Sequence, residues 1–364
     1  GTNFLARFWP ALAGSTLALV PFFFRDRLGR LPALLLAFGL ALDPGLAALS
    51  RLAGGSMLAM AAVMWAWAIW RQGARAAAGA LAGFALLCGT SLWLGLLGLL
   101  LTGLIGRWGR VKKQPVEQAQ GQAGPAESVA SPLRWETVRG PLAWGAGTLL
   151  VIGSLFLLSP KGLGAFVASL PAFLSGWWTL SDVPTRYLLI SLPAYELLPL
   201  VFGLVGAVRG LLKREELSLR LSLWFLAALV LALVYFGKQV ADLSWALVPL
   251  WGLAAVELGR HFDFEGRNAW ELAGVILLVV VLLVFGWLDL AMLTTMDLAS
   301  DAARMRVYLL LFVLLLVGLS LLMAGVGWSR DVARLGGVWA GLVVLTAYTI
   351  AMLTGATGLR QPLT

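Results

Sequence analysis

Ala76 to Gly106 reads AAAGALAGFALLCGTSLWLGLLGLLLTGLIG, 31 residues without a charge. A bilayer core about 30 Å thick is crossed by roughly 20 apolar residues in helix. The run is long for one span. Gly89, Thr90 and Ser91 interrupt its middle. Such residues favour turns, so the run splits into two short helices, 76–89 and 91–106. The split decides the topology, because every span reverses the side on which later loops fall. With two helices here, the basic loops 25–30, 71–75, 107–139, 209–220, 259–269 and 328–334 share one side. That side holds 19 of the 27 Lys and Arg residues. The positive-inside rule makes it cytoplasmic, with both ends of this chain outside.

Working outward, ten further apolar runs have spanning character: 8–24, 31–48, 53–70, 141–159, 187–209, 220–237, 243–258, 270–292, 307–327 and 335–355. The expected fold is an all-α, polytopic transmembrane bundle of about twelve spans. Composition agrees. Of 364 residues, 60% are hydrophobic and 12% charged, against about 45–50% and 25% in soluble domains. A soluble globe could not hide that surface. Disorder, a collagen-like fibre and a disulfide scaffold are excluded by the same figures. The net charge of +9 comes from loop clusters between spans, which points to a membrane and not to nucleic acid. One Cys and one His permit neither an internal disulfide nor a histidine cluster for zinc.

Three regions follow: transmembrane helices with the first outer loops in 1–106, a flexible cytoplasmic linker in 107–140, and transmembrane helices in 141–364. The linker, rich in Gln, Ala, Gly, Ser and Pro between Gln114 and Pro132, is too short for a core of its own. No P-loop and no strand-linked GxGxxG occurs. Trp9, Trp70, Trp108, Trp177, Trp178, Trp270 and Trp328 fall near span ends, as an aromatic belt does. Gly79 and Gly83 have the spacing of a close helix contact.

Ionisable groups near a membrane are costly and raise the question of function. On the outer side these are Asp43 and Arg51, then Lys161, Asp182 and Arg186 in the loop 160–186. Glu196 lies about two and a half turns into its span, beside Tyr195. Lys238 and Asp242 flank a turn, and Asp289, Asp297, Asp301, Arg304 and Arg306 belong to the last large loop. Each has a plainer reading. Asp43 caps a helix before Pro44, and Lys238 pairs with Asp242 across one helical turn. Arg304 and Arg306 form a solvated face. Glu196 is hardest to explain structurally, since a carboxylate that deep needs a partner or a wet cavity.

The run Gly1 to Gly14, with Asn3-x-x-Ala6-Arg7-x-x-x-Ala11-Leu12-x-Gly14, resembles the start of a span in the GT-C glycosyltransferases. Arg25 to Arg30, followed by Leu31-Pro32-Ala33, looks like their basic cytoplasmic turn. Pro44 through Ser50-Arg51 is similar to a following stretch. Tyr187 to Gly206, with Tyr195-Glu196, and Gly237-Lys238 to Trp245 with Pro249-Leu250, resemble the dolichyl- and polyprenyl-phosphate-mannose protein mannosyltransferase branch. The resemblance covers about three quarters of the chain.

It implies a multi-pass enzyme of the inner (plasma) membrane and cell envelope. Such an enzyme moves a sugar from a polyprenyl-phosphate donor to an acceptor on the outer face. Arg51, Arg186 and Lys238 are then candidates to hold the donor phosphate, with Glu196, Asp242 and Tyr195 as supporting or acceptor-binding residues. Some members use a divalent metal, Mg²⁺ or Mn²⁺; no residue here is assigned to one. Two departures stand out. The family's first span and catalytic outer loop would precede Gly1, which leaves the catalytic base unassigned and reads as N-terminal truncation. An acidic residue that relatives carry after the Ser-Arg pair is replaced by Ala53-Gly54-Gly55-Ser56. The alternatives are a lipid or solute transporter or flippase, and a non-catalytic membrane subunit with the same fold. Partners are membrane lipid and an undefined protein or glycan acceptor, with no nucleic acid.

Overall fold

The computed structural model describes residues 2–111, 135–156, 158–159, 161–262, 269–293, 296–297 and 300–356. Most of the linker 107–140 therefore lies outside the described residues. Among those described, all regular structure is helical. In chain order the α-helices are α1 (Thr2–Leu17), α2 (Arg25–Leu28), α3 (Arg30–Leu42), α4 (Pro44–Ser50), α5 (Gly55–Arg71), α6 (Arg75–Leu86), α7 (Thr90–Val111) and α8 (Trp135–Gly153). They continue with α9 (Lys161–Ser175), α10 (Thr185–Tyr195), α11 (Leu197–Lys213), α12 (Glu216–Val234), α13 (Ser244–Gly259), α14 (Ala269–Leu293), α15 (Asp301–Gly327) and α16 (Arg330–Ala356). In lipid each backbone N–H and C=O must be satisfied within its own segment, which leaves long Leu/Ala/Val runs no other regular choice.

The break expected in 76–106 is present. α6 ends at Leu86, Gly89 turns the chain at φ +93°, and α7 begins at Thr90. The count of twelve spans is not confirmed. Among the described residues, six helical segments are long and apolar enough to cross a membrane, or eight if two bent pairs each count as one. Helices do occupy the other runs, but α5 and α6 have only 17 and 12 residues. Two further expectations change. The loop read at 160–186 contains α9. The run 187–209 is not one rod, because α10 and α11 meet at 91°. Glu196, at that bend, therefore sits at the start of α11 and not deep within a straight span.

The chain forms two compact units, residues 1–259 with 353–364, and 260–352. In the first, α13 is the central helix. Fourteen of its 16 residues are buried, and it packs on α3, α11 and α12. Glycines let these backbones approach. A Cβ on Gly203 or Gly206 of α11 would lie 2.9 Å from the Leu250 or Leu253 carbonyl oxygen of α13. Gly79 and Gly83 serve α6 in the same way. A Cβ on either would stand 2.1 Å from the carbonyl oxygen of Pro141 or Gly145 of α8, so the packing expected of that pair is realised. Buried Glu257 of α13 pairs with Arg209 of α11 at 3.0 Å. In the second unit, Val275, Val279, Ala324, Val332, Ala333 and Ala340 form the core. There Arg306 pairs with Asp289 at 2.5 Å, so Arg306 is more than a solvated face.

Candidate functional site

Two helix breaks meet inside the first unit. The first is at Asp43, between α3 and α4, where the helices bend by 54°. Asp43 is extended (φ −63°, ψ 119°), and its Oδ1 accepts the Leu46 N–H at 2.6 Å, an N-cap. Pro44, at the first helical position, has no N–H that needs a partner. The capping role read from Asp43-Pro44 is thus what the structure shows. A second bond was not legible: Asp43 Oδ2 accepts Trp251 Nε1–H at 2.6 Å from α13. Gly39, one turn before Asp43, makes room for that indole. A Cβ there would lie 2.2 Å from the ring.

The second break is at Glu196. This residue is 3% exposed. Its Oε1 accepts the Gly45 N–H at 3.1 Å, a contact spanning 151 residues of sequence. The Asp43 and Glu196 carboxyl groups adjoin one another. Gly45 fits against both, since a Cβ there would lie 2.9 Å from Glu196 Oε1 and 3.3 Å from Asp43 Oδ1. Among the described residues no donor reaches the buried Glu196 Oε2. Two acids in contact and away from water form a costly arrangement. Each stands at a helix N-terminus, Asp43 at α4 and Glu196 at α11, where the peptide dipoles favour negative charge.

A second cluster forms at the other end of α10. Lys238 Nζ donates to Thr185 Oγ1 at 2.7 Å and to the Leu233 carbonyl at 3.4 Å. Ser181 Oγ donates to the Lys238 carbonyl at 2.7 Å. Arg186 follows Thr185, the partner of Lys238, in the chain. The Arg186 guanidinium lies 5.2 Å above the Tyr187 ring. The expected Lys238–Asp242 pairing is not what holds Asp242. Its Oδ2 accepts the Gln239 N–H at 2.9 Å in a capping box that fixes the turn before α13. The clusters at the two ends of α10, an 11-residue helix, are roughly 16 Å apart along its axis. Arg51 is exposed just beyond α4, so it and Asp43 sit at opposite ends of that short helix. Tyr195 is exposed beside Glu196.

Sequence reasoning missed Trp251, Thr185 and the Gly45 amide. Trp251 carried a usable signal. It is one of two indoles, with Trp245, inside a largely apolar run, and such a group when buried needs an acceptor. The described residues here do not fit a divalent metal. No group of three or more His, Cys, Asp or Glu comes together among them. Three of the four carboxyl oxygens of the Asp43–Glu196 pair already accept N–H bonds.

No protein-family model and no curated protein sequence matches the chain. Two solved structures do. The crystal structure of ArnT from Cupriavidus metallidurans bound to undecaprenyl phosphate aligns with TM-score 0.54 and 17% identity. The alignment covers 98% of this chain and 64% of that one. The apo form of the same protein aligns with TM-score 0.50 and 18% identity, over 96% of this chain and 62% of that one. The chain thus spans just under two thirds of its structural relatives. The likeness shows a shared fold.

Proposed function

We propose that the chain belongs to a membrane glycosyltransferase that takes its sugar from a polyprenyl-phosphate donor. The observation that carries this reading is the alignment of nearly the whole chain with ArnT in its complex with undecaprenyl phosphate. In such a reaction an acceptor hydroxyl oxygen bonds to the sugar's anomeric carbon. The bond from that carbon to the phosphate oxygen breaks, and polyprenyl phosphate leaves with the electron pair. The acceptor's proton passes to a general base that remains unassigned in this chain. Charge-assisted donors stabilise a departing phosphate. Arg186 and Lys238, joined through Thr185, are suited to that work, with Arg51 as a third candidate. Asp242 positions the turn that carries Lys238. Glu196 and Tyr195 are the candidates to orient the acceptor, and Trp251 and Asp43 hold Glu196's surroundings in register. We assign the acceptor to the outer face because these groups share the outer side of the charge-derived topology.

The test is transfer from radiolabelled polyprenyl-phosphate sugars in proteoliposomes, with and without Mg²⁺ or Mn²⁺. Removing one charged phosphate contact by Arg186→Ala should lower kcat/KM about tenfold or more. Arg51→Ala at full activity would remove Arg51 from the phosphate site. Glu196→Gln without effect on rate or donor affinity would remove Glu196. One observation favours a second reading, a lipid or solute carrier. Broken helices that meet at buried carboxylates also build transporter sites. Flux of donor lipid across the bilayer with no label on any acceptor would select that reading.

A further inference from the structure

A cavity of about 350 Å³ opens among α1, α2, α3, α5, α7, α12 and α13, within the size range of ligand pockets. Its wall is divided by chemistry. Leu17, Leu40, Met64, Leu99 and Val248 make one part apolar, and Arg27, Arg71 and Arg220 line the same cavity. These arginines come from three separate loops or helix ends: α2, the last residue of α5 and the first turns of α12. All three belong to the side that the charge bias makes cytoplasmic. Leu40 stands ten residues beyond Arg30 on α3, about 15 Å farther along the helix. The cavity therefore runs from a cationic mouth at one membrane face into the apolar interior.

Two details bear on an occupant. Trp224 lines the cavity and is 6% exposed, yet its Nε1–H has no hydrogen-bond partner among the described residues. A buried indole N–H is normally paired. Gly103 also lines the cavity, and a Cβ there would meet nothing within 4 Å. The arginines are only lightly engaged. Arg71 lies 4.9 Å over the Phe24 ring and reaches the Phe23 carbonyl at 3.5 Å. Arg220 pairs with Glu216 one turn earlier on an exposed face, and such pairs are weak.

We propose that this cavity is a lipid site in which one tail of an anionic membrane lipid fills the apolar part and its phosphate is held by Arg27, Arg71 and Arg220. Three arginines suit a phosphate dianion or diester, because each offers a planar fork of donors. A tail accounts for the apolar depth, which a free phosphate would leave unused. The site is separate from Arg51, Arg186 and Lys238, which the charge bias puts on the opposite face. It does not depend on the glycosyltransferase reading.

Native mass spectrometry of the detergent-solubilised chain tests the site with dioleoyl phosphatidylglycerol, dioleoyl phosphatidylcholine, farnesyl phosphate and inorganic phosphate as probes. The expected result is one retained phosphatidylglycerol and little phosphatidylcholine. Each Arg→Gln change among the three should weaken retention about tenfold. Gly103→Leu, which fills the tail space and favours helix, should weaken lipid retention with all three arginines intact. Farnesyl phosphate that displaces phosphatidylglycerol would identify an isoprenyl phosphate as the source of the same chemistry. Equal retention of both phospholipids, no response to the arginine changes, or inorganic phosphate binding as tightly as the lipid would overturn the proposal. Circular dichroism of each variant separates loss of the site from loss of the fold.

Discussion

Asp43 shows how one side chain joins three helices. It caps α4 through Leu46 and receives the Trp251 indole of α13, while Gly39 on α3 clears the indole's path. Asp43→Asn keeps the capping oxygen for Leu46 but turns an amide NH2 toward the Trp251 N–H, which loses its acceptor, so it should cost roughly 1–3 kcal/mol. Asp43→Ala loses the cap, about 1 kcal/mol, and strands a buried indole N–H, roughly 1–3 kcal/mol more. Thermal unfolding in detergent, compared between the two variants, checks this. Gly39→Ala drives a methyl into the Trp251 ring and should cost about 1–3 kcal/mol by overpacking, with no change in charge. Asp43 and Glu196 were visible in the sequence as isolated acids in apolar surroundings. Their mutual contact was not, because it is set by two helix breaks far apart in the chain.

Among the elements, the backbones of α6 and α8 pack closely against one another. Gly79 and Gly83 of α6 leave no room for a Cβ against Pro141 and Gly145. Gly79→Val or Gly83→Val should therefore separate the helices and lower the unfolding temperature. Gly147→Ala on α8, where a Cβ meets nothing within 4 Å, should be neutral or slightly stabilising. Equal effects at Gly83 and Gly147 would show that the pairing does not hold these helices together. The spacing of Gly79 and Gly83 was legible, but the identity of their partner was not. α9 was missed for a related reason. Lys161-Gly162-Leu163-Gly164 and Pro171 look like loop residues, yet burial of Ser169 and Phe173 rewards the helix. Hydropathy also joined α10 to α11, since it measures apolar length and is blind to a bend at Glu196.

For the molecule, the direction of insertion follows from charge. In a Cys88→Ser background, Asp182→Cys should react with an impermeant maleimide added outside sealed cells. Lys213→Cys should react only after the membrane is opened. Both positions are exposed, and the reverse pattern would invert the topology and move the proposed donor site to the cytoplasm. The sequence by itself determined the helical membrane class, the break at Gly89 and the gathering of Lys and Arg in loops between apolar runs. Each of these rests on the exclusion of water from lipid, which obliges the backbone to form helices and keeps Lys and Arg in the flanking loops. Only the tertiary structure decided which breaks face each other, which glycines admit which rings, and which arginines share a cavity. Between apolar helices in lipid, contacts depend on shape and on a few polar pairs, and neither the shape nor the partner is written in a local stretch of residues.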